Sequence, residues 1–195
     1  IGNPPYQLSD GGAQASAKPL YHKFIQQAKK MNPRFLTMII PSRWFSGGKG
    51  LDEFREEMLT DNRIRIIHDY INARDCFPNV EIKGGVNYFL WDRDNPGDCK
   101  VISHIDNEIY SISNRPLLEN GSDIFIRYND AITVFRKVSK YKEENFNKII
   151  SARKPFGLPT NFKGVNKKFE NSVKVYQTKS IGYVENDLIK KNRNW

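Results

Sequence analysis

The chain has 195 residues, 38% of them hydrophobic and 12% aromatic, with a formal charge of +9. That is enough apolar material for a core in one or two domains, and no apolar run approaches membrane-spanning length. Two cysteines without Cys-x-x-Cys pairing, Cys76 and Cys99, and three isolated histidines, His22, His68 and His104, argue against a disulfide scaffold and against metal-site spacing, whereas Lys and Arg spread along the chain favour a polyanionic partner such as nucleic acid.

The first element is a strand end, Ile1-Gly2, running into the rigid turn Asn3-Pro4-Pro5-Tyr6. These residue types suit a planar exocyclic amine, whose lone pair is delocalised and whose nucleophilicity is poor. Two acceptors, the Asn3 side-chain oxygen and the Pro4 carbonyl, favour a pyramidal nitrogen and stabilise the positive charge that develops as it attacks an electrophile. The prolines fix φ and so hold the acceptors in place, while Tyr6 offers a ring face for a base taken out of its duplex. No general base is demanded, because the alkylated nitrogen is acidic enough to lose its proton. An ordinary Asn-Pro turn fits the same four residues, and at this point both readings stand.

Residues 7–16 read as a polar loop able to close over a substrate, and 18–31 as an amphipathic helix with Leu20, Tyr21, Phe24, Ile25, Ala28 and Met31 apolar and Pro19 in its first turn. A buried strand over 34–40 follows, closed by Pro41. The loop 41–50 then lies at the same sheet edge as the opening turn and offers Arg43 and Lys49 for phosphate contacts. A helix over 51–60, with Leu51, Phe54 and Met58 on one face, and a strand over 65–71 complete a strand-helix-strand unit. The glycine pairs Gly11-Gly12 and Gly47-Gly48 lack the strand-turn-helix setting of a cofactor loop.

The segment 72–85 leads into a strand over 86–91. Its Asp75, Glu81 and Lys83 have the letters of a metal-dependent nuclease core, but Glu81-Ile82-Lys83 precedes Gly84-Gly85 in what reads as a loop, so a metal is not expected. Residues 92–98 form a turn, after which 100–105 pairs with the previous strand as a hairpin and 108–113 extends the sheet outward. The polar stretch 114–123 marks a boundary. Beyond it, Asn129-Asp130 caps a helix that buries Ile132, Phe135 and Val138. Arg153-Lys154 then sit beside aromatic residues in a run ending at Phe162, a composition suited to backbone contact with base stacking. Two strands, 173–176 and 181–184, precede an end that reads as helix or linker.

Asn3-Pro4-Pro5-Tyr6 is similar to the catalytic motif of amino-methyltransferases that use S-adenosylmethionine, both the N6-adenine DNA methyltransferases and the glutamine methyltransferases acting on release factors. Phe77-Pro78 resembles the Phe-Pro that precedes the penultimate core strand in the restriction-modification adenine enzymes. The run from Arg153 to Phe162 resembles the start of the target-recognition region in the large restriction-modification methylases.

On these marks the chain resembles the carboxyl-terminal portion of a gamma-class N6-adenine DNA methyltransferase of a type II, IIG-like restriction-modification system. The resemblance implies an α/β fold, with 1–113 as the carboxyl-terminal half of a doubly wound catalytic sheet and 114–195 as the start of an α+β target-recognition region. It implies that Asn3, Pro4, Pro5 and Tyr6 are catalytic and that Phe77 closes the pocket of a flipped adenine. The main S-adenosylmethionine site is expected upstream of residue 1, so that the segment alone is inactive. Double-stranded DNA is the implied partner, with a nuclease or specificity domain in the same polypeptide, in the bacterial cytoplasm. A protein glutamine methyltransferase explains the opening motif equally well but leaves the basic extension after Asn114 without a purpose. A DNA-recognition module without catalysis is the alternative from another class.

Overall fold

The structure, a computed structural model, describes residues 1–8, 18–144, 156–159, 161–177 and 180–189. They fall into two compact units, Ile1–Tyr141 and Lys142–Trp195. Residues 114–141, expected to open the recognition region, are packed within the first unit, where Leu117, Phe125 and Ile132 are buried.

In the first unit, helix α1 (Tyr21–Lys30) buries Tyr21, Ile25 and Ala28, which one turn of spacing places on one stripe. Phe24 and Met31, expected on that stripe, are 44% and 73% exposed. The buried stripe follows the 21/25/28 series, and Pro19 lies before the helix, bridged to Gln7. Asn32, at φ 51°, ends the helix in the left-handed conformation that Asn tolerates. Strand β1 (Phe35–Pro41) leads through a 3-10 turn (Ser42–Phe45) to α2 (Asp52–Thr60). Leu51, Phe54 and Met58 are buried as their spacing predicts, and Asp52 and Glu53 in the first turn complement the positive helix end. Strands β2 (Ile64–Tyr70), β3 (Val86–Asp92), β4 (Cys99–Ile105) and β5 (Glu108–Arg115) follow, then α3 (Asn129–Ser139).

The five strands form one sheet in the order β1-β3-β2-β4-β5. Only β2 and β4 pair in parallel; β3 runs antiparallel to both β1 and β2, between them. The expected hairpin of β3 with β4 is therefore not formed. Instead the 93–98 connection crosses the start of β2, with the Gly97 N–H donating to the Asn62 carbonyl at 2.8 Å and the Asp92 N–H to that of Arg63 at 2.8 Å. Helices α1 and α2 share one sheet face: Tyr21 packs edge-on to Phe54 at 6.1 Å and Lys29 pairs with Glu57 at 3.1 Å. Leu36, Ile40, Ile67, Phe89, Trp91 and Val101 fill the core beneath them, each side chain of this kind contributing about 1.5–3 kcal/mol when fully buried. The other face carries a ladder of rings, with Tyr88 stacked on His68 at 4.5 Å and His104 on Tyr70 at 4.2 Å. The α/β class holds, as a mixed, mostly antiparallel sheet. Helix α3 buries Ile132, but Val138, expected beside it, is 60% exposed.

The second unit contains an antiparallel hairpin, β6 (Ser172–Tyr176) with β7 (Ile181–Glu185), where two strands were expected. Among the described residues of the chain, no helix is long and apolar enough to cross a membrane.

Candidate functional site

The opening turn is placed by strand pairing. The Gly2 N–H donates to the Thr37 carbonyl at 3.0 Å and the Ile39 N–H to the Gly2 carbonyl at 3.1 Å, a parallel bridge that sets Ile1-Gly2 alongside β1. The chain past the turn is tied back as well, the Leu20 N–H donating to the Tyr6 carbonyl at 3.0 Å and the Leu8 N–H to that of Lys18 at 3.1 Å. Asn3-Pro4-Pro5-Tyr6 is thus pinned on both sides. Pro4 is buried, Asn3 and Pro5 are exposed, and Tyr6 is half-buried. Neither the Asn3 amide nor the Pro4 carbonyl takes part in a hydrogen bond among the described residues. Both remain available to a ligand.

These residues line a cavity of about 800 Å³ together with Tyr21, Arg43, Lys49 and the stretch Val80, Glu81, Ile82 and Lys83. Arg43 and Lys49, read from sequence as phosphate contacts, therefore stand in the same cavity as the motif. Tyr6 brings an apolar wall: burial, with the nearby Cys76 adding to it, pushes its phenol up to about 12, so the ring is neutral at ordinary pH. Its hydroxyl is buried without a hydrogen-bond partner.

Val80 to Lys83 belong to the loop that follows β2. A 3-10 turn, Ala73–Asp75, is capped by the Asn72 side chain accepting from the Arg74 N–H at 3.1 Å, and the Phe77 N–H donates to the Ala73 carbonyl at 2.8 Å. Phe77 is half-buried and is not among the residues lining the cavity; it joins this stretch through its carbonyl, which accepts from the Val80 N–H. Glu81 and Lys83 stand outside any strand, as the glycines after them suggest, and Glu81 lies 4.0 Å from Arg74. Among the described residues no group of three or more metal-ligating side chains is brought together.

The loop returns to the sheet through Gly85, at φ 81°, where an added Cβ would collide with the carbonyl oxygens of Tyr70 and Ile71. Its own carbonyl accepts from the Ser42 N–H at 2.9 Å, joining the 76–85 loop to the end of β1.

Beneath this junction lies a buried polar network that sequence reading missed. Ser42 Oγ donates to Asp69 Oδ1 at 3.0 Å, Asn87 Nδ2 donates to Ser42 Oγ at 3.1 Å, and Arg127 clamps both Asp69 oxygens, at 2.5 and 2.7 Å. Asp69 and Asn87 are 0% exposed. One signal was available: an acid inside the apolar run of β2 demands a buried partner. Which cation supplies it, 58 residues away, is not visible in local pattern.

Between β1 and α2, Gly47, at φ 73°, does lie in a strand-loop-helix setting, contrary to expectation. At Gly47 an added Cβ would meet the Arg55 and Asp52 side chains, and Asp52 accepts from the Gly48 N–H at 3.0 Å. With Asp52 and Glu53 in the first turn, this helix start disfavours an anion. Arg153 and Lys154 lie outside the described residues. Of the run that ends at Phe162, the described part borders a cavity of about 900 Å³ in the second unit, walled by Phe156, Phe162 and Tyr176. Lys174 lies over the Tyr176 ring at 5.2 Å.

Comparison with known proteins places residues 1–77 in match with the family described as Eco57I restriction-modification methylase. A protein of Mycoplasma pneumoniae described as an uncharacterized adenine-specific methylase is 37% identical over 104 residues, which cover 52% of this chain and 25% of that protein. The matched region is thus a quarter of the length of that relative. Among solved structures, one of a type I restriction-modification system covers 73% of this chain and 30% of its own, at 15% identity and a TM-score of 0.39. The methyltransferase subunit of such a system from Streptococcus thermophilus covers 57% and 21%, at 11% identity and a TM-score of 0.27.

Proposed function

We infer that this chain, whose residues 1–77 match the family described as Eco57I restriction-modification methylase, supplies the substrate-amine side of a site that methylates N6 of adenine in double-stranded DNA. The observation that supports this most is the pair of unengaged acceptors, the Asn3 amide oxygen and the Pro4 carbonyl, at the wall of a cavity large enough to admit a base. In this reading the adenine leaves its duplex and stacks on Tyr6. Its two amino N–H groups donate hydrogen bonds to the Asn3 side-chain oxygen and the Pro4 carbonyl, which draws the nitrogen lone pair out of the ring and towards the methyl donor. The acceptors are in place before the base arrives. Val80 and Ile82 take the edge-on wall for which Phe77 was expected, and Phe77 supports that loop through its backbone.

S-adenosylmethionine is the methyl donor that the family implies. Among the described residues the loop between β1 and α2 offers no cradle at Gly47, where Arg55 and Asp52 lie against the backbone. What Asn3, Pro4 and Tyr6 do is hold, stack and polarise the amine. The sheet, in which Ile1-Gly2, β1 and β2 share a direction with α1 and α2 as crossovers, is read as the later half of a doubly wound catalytic domain. The residues after 141, with Arg153, Lys154 and the aromatic cavity of the second unit, are read as the beginning of the target-recognition region. DNA in the bacterial cytoplasm is the substrate, and a nuclease or specificity domain in the same polypeptide remains part of this reading. The 37% identical adenine-specific relative favours it over a glutamine methyltransferase.

The test is methyl transfer from S-adenosylmethionine to duplex DNA by the complete protein, with Asn3→Ala and Tyr6→Ala beside it. Methyl-adenine in the DNA, lost in both variants, is the expected result. DNA without methyl-adenine, or an Asn3→Ala variant as active as the parent, would sink the assignment.

A further inference from the structure

A second, smaller cavity of about 430 Å³ adjoins the motif cavity, and the two share Arg43 and Lys83. Phe45, Phe125, Gly84 and Arg127 contribute to its lining. Its three cations are not equivalent. Arg127 is committed to Asp69 by two short hydrogen bonds. The side chains of Arg43 and Lys83 are exposed and form no ion pair or hydrogen bond among the described residues. Two unpaired cations that come from different segments, one from the end of β1 and one from the 76–85 loop, and that stand together where two cavities meet, are placed for one shared anion. The junction of those segments is fixed by the Gly85 carbonyl accepting from the Ser42 N–H, so neither cation depends on a freely moving loop.

We propose that Arg43 and Lys83 straddle the DNA phosphodiester next to the extruded adenine, with the smaller cavity receiving the adjoining part of the backbone. This rests on the reading of the motif cavity as the base site. A base drawn into the larger cavity carries its two phosphates at the rim, and the rim towards the smaller cavity is where these cations stand. The ligand class is a phosphodiester, bound by charge and without sequence preference. Lys83 thereby acquires a role that its letters, Glu81-Ile82-Lys83, do not suggest. As a positioning group it acts on binding and leaves the chemistry at the amine alone.

The experiment uses the complete protein and a duplex containing the site it methylates, mapped beforehand from the methyl-adenine left in plasmid DNA. Lys83→Gln and Arg43→Gln are expected to raise KM for DNA about tenfold with kcat unchanged, and the two together to lower the slope of log affinity against log salt by about 0.9, the share of one phosphate. Lys83→Arg restores both. Replacing the phosphate beside the target adenine with a neutral methylphosphonate weakens the parent by more than either substitution does and weakens Lys83→Gln by a smaller factor than the parent, because only the Arg43 contact is left to lose. A Lys83→Gln variant that stays as sensitive to the methylphosphonate as the parent, or that loses kcat at constant KM, overturns the proposal. A parent that leaves no methyl-adenine removes the reading of the motif instead. The salt slope of binding to the same plasmid DNA then still decides for or against Lys83.

Discussion

Two groups of polar residues lie close together at one end of the sheet, and they are treated in opposite ways. In the Ser42, Asp69, Asn87 and Arg127 network the polar atoms are paired, and the one buried side-chain atom left over is Asn87 Oδ1. In the opening turn the backbone is pinned on both sides, and the Asn3 amide and Pro4 carbonyl are paired with nothing among the described residues. A satisfied buried network fixes where segments meet; rigid acceptors left open at a cavity wall serve a ligand. The contrast predicts that removing a member of the first group costs stability, and removing a member of the second costs rate.

The largest effect is expected at Asp69. Asp69→Ala leaves Arg127 without its counter-charge beneath the site and should destabilise the protein by about 3–5 kcal/mol, read from urea unfolding. An unchanged midpoint would show that the network holds nothing together. Asn3→Ala should slow methyl transfer by about 10²–10³, the cost of removing one preorganised polar contact to developing charge. Its unfolding midpoint should stay at that of the parent, and a large drop in that midpoint would erase the distinction between the two groups. Gly85→Ala puts a Cβ against two carbonyl oxygens at a positive φ. A loss of about 1–3 kcal/mol is expected, with KM for DNA rising as the loop that carries Lys83 shifts.

The smallest effects come from pH. Burial holds His68 and His104 below the ordinary histidine value; the charges of His104 and Lys100 add to the shift at His68, while Asp69 and Asp75 partly offset it at His104. The unfolded chain therefore takes up protons first, so stability is full above about pH 6.5 and declines as pH falls through that range. Burial alone would raise the Asp61 carboxyl, but hydrogen bonds from Arg63, Lys29 and Trp91 and the Lys29 charge outweigh it and hold the group well below the usual range. Its contribution is present above about pH 4 and is lost as pH falls through the folded-state value. Melting temperature followed from pH 8 to pH 3 should thus decline in two stages, and His68→Gln with His104→Gln should flatten only the first.

Much of this architecture was legible residue by residue. Helix α2 followed from the spacing of Leu51, Phe54 and Met58, and β1, β2 and β5 from short apolar or alternating runs between turn residues. The place of β3 was not legible, because a run buried on both faces, such as Val86 to Trp91, carries no mark of its partner. The turn after it, with Asn95, Pro96 and Gly97, looks like a hairpin; its hydrogen bonds to Asn62 and Arg63 are long-range, and they carry the chain across β2. Phe24, Met31 and Val138 show the limit of helical spacing, which identifies a stripe but not its width. At the site, the motif and Arg43 were visible as residue types. Lys83 was visible too, but its letters pointed to a metal, and only the fold set it beside Arg43.

The bridge between Gly2 and β1 has a further consequence. Two hydrogen bonds act there as a ruler for the chemistry, since side chains alternate along a strand and a slip of one residue would exchange Asn3 for Gly2 or Pro4 at the cavity wall. If Asn3 and Pro4 accept from a base amine as proposed, their aim is set by the sheet alignment of Thr37, Met38 and Ile39, none of which needs to touch the base.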